Sequence, residues 1–302
     1  MTKLLVVGSV NMDIVTQVTK LPSPGETVKG LGTDYFPGGK GANQAVAASL
    51  AGGDVIFVGA VGDDEYGIRL IHSLHEKGVR TDYVVKKMTS SGIAYINVDA
   101  EAQNHIILSE GANGQLTPAN LASLSHAFAD VQGLLLQNEI PWETTVYAMQ
   151  EARRNGVFTC YNPAPAAPVP PEVWPLIDLL VVNESEAEQL SGSRVESAGQ
   201  GERMAEALLE LGANAVLLTL GEHGSLYADR QGTVVRQEAY KVKAVDTTAA
   251  GDTFIGSFMV AYLSKWPVQD SLRFASAAAA LTVSRPGAQA SIPDRKEIGD
   301  FM

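Results

Sequence analysis

Short apolar runs rich in Leu, Val and Ile recur along the chain, and between them lie stretches in which apolar positions return every third or fourth residue. The first pattern marks strands buried on both faces, the second helices with one buried stripe. It predicts strands over residues 3–9, 54–61, 133–138, 156–161, 179–183 and 215–219, and helices over 65–77, 142–155 and 205–211. Strands alternating with helices imply an α/β fold built on a mostly parallel, doubly wound sheet. No domain linker or solenoid repeat interrupts the pattern, so residues 1–302 read as a single α/β domain. The Pro/Ala-rich residues 162–171 read as a stiff connection between core strands.

Two passages break the rhythm. Residues 14–36 are β-like and interrupted by Pro22, Pro24, Gly25, Gly30 and Gly32, and residues 92–109 again read strand, turn, strand, without a helix. Inserted hairpins of this kind can pair into a small second sheet. Such a sheet is too thin to bury both faces, so one face is expected to cover a substrate cleft, a partner subunit or both.

Polar residues stand where the core strands end. Asn11 and Asp13 follow the first strand, Asn138 and Glu139 follow residues 134–136, Asn183, Glu184 and Glu186 follow 180–182, and Thr219 and Gly221 close the last. In an open parallel sheet that edge is where ligands bind. Asn11 and Asp13, two apart, share a side of an extended chain and could bracket a diol, or else form an Asx turn. Glu184, Glu186 and Glu188 suit either a water-mediated Mg²⁺ or the positive end of a helix.

Two glycine-rich turns lead into helices. Residues 37–48 include Gly38, Gly39, Lys40, Gly41 and Asn43, but lack the spacing and the Ser/Thr of a P-loop and do not fit a dinucleotide fingerprint. What remains is a backbone that can approach a ligand closely, with Lys40 and Asn43 as donors, or simply a flexible helix start. The second turn, residues 245–254, separates a β-like alternation over 234–245 from an apolar helical run over 254–263, so a strand is expected to feed a helix here. Ala249, Ala250 and Gly251 allow a tight turn that leaves N–H groups unpaired at a helix N-terminus, a cradle for an anion. Asp252 beside them is expected to stay ionised and either take a proton from a substrate hydroxyl or cap the helix.

Composition narrows the partners. With 22 Lys and Arg against 34 Asp and Glu, the formal net charge is -12, which argues against nucleic acid or an anionic membrane surface as a partner. Cys160 is the single cysteine and sits in a β-like run, so a buried, unreactive thiol in a reducing compartment is expected. The start is too polar for a signal segment and no run is long enough to span a membrane, which fits a cytoplasmic protein. His72 and His75 have helical spacing without a third ligand nearby and read as a solvated face.

Together, Asn11-Met12-Asp13, Gly38-Gly39-Lys40-Gly41-Ala42-Asn43, Asn183-Glu184-Ser185-Glu186, Thr219-Leu220-Gly221 and Asp246-Thr247-Thr248-Ala249-Ala250-Gly251-Asp252-Thr253 resemble the ribokinase family of carbohydrate kinases, over essentially the whole chain. The resemblance implies ATP-dependent phosphorylation of D-ribose at O5, giving D-ribose 5-phosphate. Its alternatives are the same chemistry on deoxyribose, fructose or a nucleoside, or a non-catalytic sugar sensor. It implies that Asp252 is the base and that the backbone of Ala249, Ala250, Gly251 and Asp252 receives the γ-phosphate charge. Asn11, Asp13, Gly39, Lys40, Asn43 and Glu139 match sugar-binding positions. Asn183 and Glu186 match a phosphate and Mg²⁺-water motif, while Thr219, Gly221 and Gly251 fall at the nucleotide. A potassium ion is implied beside the anion hole, on Asp246, on the carbonyls of Thr248, Thr282, Arg285 and Gly287, and on the Ser291 hydroxyl. Thr248 and Pro286 depart from the family pattern, which bears on the affinity for that ion. The two hairpins match a β-lid over the sugar that also joins two subunits into a homodimer.

Overall fold

In the first strand, Leu4 and Val6 belong to one buried cluster and Leu5 and Val7 to another. Alternate side chains of an extended chain point to opposite faces, so this strand is apolar throughout because it separates two cores. The computed structural model describes residues 1–101, 103–192 and 200–302; residue 102, inside the second hairpin segment, lies outside the described residues. In chain order the elements are β1 (Lys3–Val7), β2 (Asn11–Val18), β3 (Gly30–Gly38), α1 (Lys40–Leu50), β4 (Asp54–Gly62), α2 (Glu65–Glu76), β5 (Arg80–Lys87), β6 (Gly92–Val98) and β7 (Asn104–Ser109). They continue with α3 (Pro118–Ser123), β8 (Gly133–Leu136), α4 (Trp142–Arg154), β9 (Phe158–Tyr161), β10 (Leu179–Asn183), α5 (Glu184–Ser191), α6 (Gln200–Leu211), β11 (Ala215–Thr219), β12 (Ser225–Asp229), β13 (Val234–Gln237), α7 (Ala250–Leu263), α8 (Val268–Val283) and α9 (Arg295–Phe301).

Nine strands form one sheet in the order β13-β12-β11-β10-β9-β8-β1-β4-β5. Those from β5 to β11 run parallel, and β12 and β13 add an antiparallel edge. One face is covered by α1, α2, α7, α8 and α9, the other by α3, α4, α5 and α6. The doubly wound α/β fold read from the sequence is therefore present. A second sheet has the order β3-β2-β6-β7, built from two antiparallel hairpins whose inner strands β2 and β6 run parallel.

Two expectations change at this point. Asn11 and Asp13 do not close β1; they open β2, so the chain leaves the large sheet near Ser9 and both residues belong to the small sheet. The small sheet accordingly begins before residue 14, and β3 runs on through Gly38. The other difference concerns residues 234–245. The strand stops at Gln237, opposite Ser225 where its partner β12 begins, and the residues that follow have no strand to pair with. The chain crosses instead to the end of α8, where the N–H groups of Val245 and Asp246 both bond to the Val283 carbonyl.

The contact that matters most for the site is the crossing of α1 and α7. A Cβ at Gly256 would lie 2.5 Å from the Gln44 carbonyl and 2.8 Å from Ala47 Cβ, so only a hydrogen lets the two helices come this close. The small side chains Ala47 and Ala48 on α1 serve the same end. In a close-packed interior an added methyl must displace backbone. Gly256→Ala is expected to lower stability by about 1–3 kcal/mol in denaturant titrations and to reduce turnover more than stability alone explains, since it pushes Asn43 and Gln44 away from α7. Wild-type stability in this variant would show that the crossing is compliant.

Candidate active site

Two helix starts meet at the carboxyl edge of the large sheet. α1 follows Gly39, which has φ 89° and whose Cβ position lies 2.8 Å from the Asn11 backbone nitrogen; both the torsion and the close approach demand glycine. α7 follows Ala249, in the left-handed region at φ 61°, with no side-chain cap. Among the described residues no protein acceptor pairs with the N–H groups of Gly251 and Asp252, and the space a Gly251 Cβ would enter is open. Asp252 is therefore not the cap of α7. Its carboxylate turns toward α1 instead, where Oδ2 accepts from Asn43 Nδ2 at 3.1 Å and Oδ1 from Gln44 Nε2 at 2.9 Å.

Around this group stand the other sugar-type side chains. Glu139 Oε2 accepts from the Ser9 hydroxyl at 2.6 Å and from the Lys40 N–H at 3.2 Å. Asp13 is buried on β2 and packs on Gly38, where a Cβ would sit 2.1 Å from its Oδ2. Asn11 Oδ1 accepts from Asn113 Nδ2 at 2.7 Å, and its partner also bonds both backbone groups of Val10, at 3.0 and 3.1 Å. Asn11 is thereby held at the point where the chain passes from one sheet to the other.

Four carboxylates, Asp13, Glu139, Glu186 and Asp252, surround the Lys40 ammonium. Burial pulls the lysine down, but the four acids outweigh it and hold its pKa above the ordinary value, so it stays charged. Burial raises Asp13 to about 7, with Glu139 and Asp252 adding to the rise and Lys40 opposing it. Glu139 is raised by burial against the pull of Lys40 and of its own hydrogen bonds. Asp252 also departs from the expectation of an easily ionised helix-end acid: burial raises its pKa, and Lys40, Gln44 and Asn43 work against that rise. Lys40 and the two amides support its ionised form.

Farther along the edge, Asn183 and Thr219 are paired neighbours at the ends of β10 and β11. Asn183 and Glu186 form a reciprocal cap of α5: the Glu186 N–H donates to Asn183 Oδ1 at 2.8 Å and the Asn183 N–H to Glu186 Oε2 at 2.9 Å. One Glu186 oxygen is left over for a hydrated metal. Gly221, at φ 54°, sits in a short turn with open space beside it. Beside the start of α7, Asp246 joins two loops, accepting from the Thr248 N–H at 2.9 Å and the Gly287 N–H at 3.0 Å. Burial raises Asp246, but these bonds and the Thr248 side chain outweigh it and hold the group below the usual carboxylate range. Ser291 is buried nearby in sequence and donates to the Ala288 carbonyl, while Arg285 pairs outward with Glu297. No cluster of three or more His, Cys, Asp or Glu among the described residues could hold a metal. A cation here would rest on one ionised carboxylate, carbonyls, hydroxyls and phosphate oxygens, which suits hard ions. His72 lies on the surface and pairs with Glu76, and Cys160 is buried with its pKa pushed up by burial.

Several polar residues of the site were not singled out from the sequence. Gln137 and Asn162 each stand one residue past a core strand, β8 and β9, as Asn183 ends β10, and the strand-end rule that found Asn183 applies equally to them. Gln44 and Gln289 carry no such mark.

A half-buried carboxylate at an uncapped helix N-terminus, with free N–H donors on one side and a dense set of polyol-type hydrogen-bonding groups on the other, defines an enzyme that transfers a charged group to a hydroxyl. The profile of the pfkB family carbohydrate kinases matches residues 1–295, and the chain belongs to that family. It is 41% identical over 313 residues to the ribokinase of Schizosaccharomyces pombe, covering 100% of this chain and 98% of the relative. It is 37% identical over 300 residues to the ribokinase of Haemophilus influenzae, covering 99% and 98%. A deoxyribokinase of Salmonella typhimurium is 34% identical over 301 residues, at 99% and 98% coverage. The solved Arabidopsis thaliana ribokinase, complexed with ribose and ATP, superposes with a TM-score of 0.94 at 33% identity, covering 100% of this chain and 99% of that one.

The electrostatics of the cluster can be measured without substrate. Burial raises the pKa of Asp13 to about 7 from the ordinary aspartate value of 3.8, so the folded form binds the proton more tightly than the unfolded chain. Stability from this group is full below about pH 4 and lost as pH rises through 7. Asp13→Asn removes that loss. It is expected to raise the melting temperature by a few degrees at pH 8, roughly 1–3 kcal/mol, and by clearly less at pH 5, where only part of the loss has set in. An equal shift at both pH values would show that Asp13 is ionised throughout.

Proposed function

We propose that this chain transfers the γ-phosphoryl group of ATP to O5 of D-ribose, giving D-ribose 5-phosphate. The observation that carries the reading is Asp252, held by Asn43 and Gln44 beside the unpaired N–H groups of Gly251 and Asp252. The likeness to ribokinases over the full chain supports the choice of sugar.

In this reading Asn11, Asp13, Gly39, Lys40, Asn43 and Glu139 bind the sugar hydroxyls and place O5 against Asp252. Polyol recognition needs many directed bonds, and this set offers both acceptors and donors. Asp252 takes the O5 proton as the oxygen attacks. The N–H groups along Ala249, Ala250, Gly251 and Asp252 receive the charge that develops on the transferred phosphoryl group. Lys40 offsets the surrounding carboxylates, so the anionic nucleotide meets less repulsion. Asn183, Thr219, Gly221 and Gly251 line the nucleotide side, and Glu186 would hold Mg²⁺ through water. Bound there, Mg²⁺ would supply charge neutralisation of the phosphates. Asp246, Ser291 and the carbonyls of Thr248, Thr282, Arg285 and Gly287 would hold K⁺; the bond from Asp246 to Gly287 brings the two halves of that set together.

The whole chain, 1–302, acts as one kinase domain in this proposal, and the small sheet, formed mainly by segments 14–36 and 92–109, is its lid. Leu31, Tyr35, Tyr95, Ile106, Ile107 and Leu108 are exposed on it, with Tyr35, Tyr95 and Ile107 in register on one face. A patch of this kind is expected to be covered, and a second copy pairing lid to lid would do so while closing over the sugar. With one cysteine, buried and reduced, the protein suits the cytoplasm.

An ADP-release assay on ribose, 2-deoxyribose, fructose and nucleosides, in K⁺ and in Na⁺, tests the substrate directly. Ribose is expected to give the highest kcat/KM, K⁺ to raise the rate, and Asp252→Asn to lower kcat by about 10²–10⁴. A higher kcat/KM for 2-deoxyribose would move the chain to the activity of the Salmonella relative. Sedimentation is expected to show a dimer that Ile107→Glu converts to monomer; a wild-type monomer would rule out the lid contact.

A further inference from the structure

Gln44 is fully buried, at 0% exposed, yet it is one of two side chains bonded to the carboxylate that the proposed reaction turns on. It sits in a chain of buried amides. Asn162 Nδ2 donates to the Val181 carbonyl at 2.9 Å, Gln44 Nε2 donates to Asn162 Oδ1 at 3.1 Å and to Asp252 Oδ1 at 2.9 Å, and Gln137 Nε2 donates to Gln44 Oε1 at 2.6 Å. On the other oxygen, Gln289 Nε2 donates to Asn43 Oδ1 at 3.0 Å, and Asn43 Nδ2 to Asp252 Oδ2 at 3.1 Å.

The sense of the first chain follows from one backbone group. A carbonyl can only accept, so the Asn162 side chain must turn its NH₂ to Val181 and its oxygen to Gln44. Gln44 must then present its own NH₂ at that place, and the two hydrogens of this nitrogen serve Asn162 Oδ1 and Asp252 Oδ1. Its oxygen is left facing Gln137, which supplies the required donor. No member can flip without setting two acceptors or two donors against each other in a dry interior, an arrangement that is strongly unfavourable.

We infer that Gln44 is a positioning residue for the kinase reaction: from the floor of the site it holds Asp252 Oδ1 as a permanent acceptor, with its donor sense dictated by the Val181 carbonyl through Asn162. The inference rests on Asp252 being the base, as proposed above. Gln44 touches no solvent-facing surface, so it cannot bind sugar or nucleotide. Its whole effect passes through the orientation and ionisation of Asp252. The charged groups that also act on Asp252 are Lys40 of α1, Asp13 of β2, Glu139 after β8 and Glu186 of α5. Of these only Lys40 favours the carboxylate, which is why neutral donors on both its oxygens matter.

Gln44→Met keeps length and volume and removes the donor. Assayed on ribose and ATP across pH 5–9 beside the wild type, it is expected to lose about tenfold in plateau kcat, through misorientation of the base. KM for either substrate should stay within about twofold, and the acid limb of the kcat profile should move up by about one pH unit. A merely structural role would lower yield or melting temperature, or reduce kcat equally at every pH, without moving that limb. An unmoved limb, or kcat within about twofold of wild type, overturns the inference. Should Gln44→Met fail to fold, Asn162→Leu decides the matter, because it removes the link to the Val181 carbonyl that fixes the sense of the Gln44 amide and must shift the limb in the same direction. A wild type inactive on every sugar in the panel would instead refute the kinase reading, and a wild type active with an unchanged Gln44→Met would refute only the role of Gln44.

Discussion

Everything at the carboxyl edge depends on how closely α1 can approach α7. At Gly256 the two helices touch backbone to backbone, and that contact sets Asn43 and Gln44 within hydrogen-bond reach of Asp252, two hundred residues away in sequence. The tight crossing also places the start of α1, with Lys40, among acids delivered by three other elements. A looser pair of helices would leave a half-buried carboxylate without donors, and such a group tends to neutralise itself by taking up a proton. The packing of two small-residue helix faces is thus a precondition for having a charged base in this interior at all.

The same edge concentrates like charges without substrate. Glu139 and Asp252 both resist the ionisation of Asp13, Asp252 resists that of Glu139, and one lysine answers all of them. Such a cluster is unfavourable on its own terms and useful for binding a polyol, whose hydroxyls can donate to several carboxylates at once. Stability given up in the empty protein becomes selectivity for a ligand rich in donors.

Much of this was readable along the chain. The core strands and the polar residues at their ends follow from runs of Leu and Val punctuated by Asn, Asp and Glu, and both glycine-rich turns mark real helix starts. The failures have physical causes. β5 is an edge strand with mixed exposure, so its pattern is blurred, and α8 is so widely buried along its alanines that no polar face contrasts with the apolar one. Residues 238–245 alternate like a strand but have no strand to join. Asn11 and Asp13 were found by type and spacing, yet nothing local tells that the chain changes sheets at Ser9. The amides behind Asp252 were hidden for another reason. Gln137 and Asn162 stand at strand ends and could have been marked by position, but Gln44 carries no local sign, and what joins the three is a meeting of α1, β8, β9 and α7 that no short window of sequence contains.

The change of sheet at Ser9 has a consequence for how such an enzyme diversifies. Asn11 and Asp13 ride on the small sheet, whereas Lys40, Asn43, Glu139 and Asp252 ride on the large one or its helices. The small sheet is a module made of two hairpins joined to the body by a few crossing points, and it carries two side chains of the sugar site with it. Exchange or drift of that module would alter which polyol is held, how the cleft is covered and what the outer face meets, all at once. The chemical half of the site would be untouched. Variation in acceptor and in assembly is therefore linked in inheritance, while the phosphoryl-transfer half is free to stay the same.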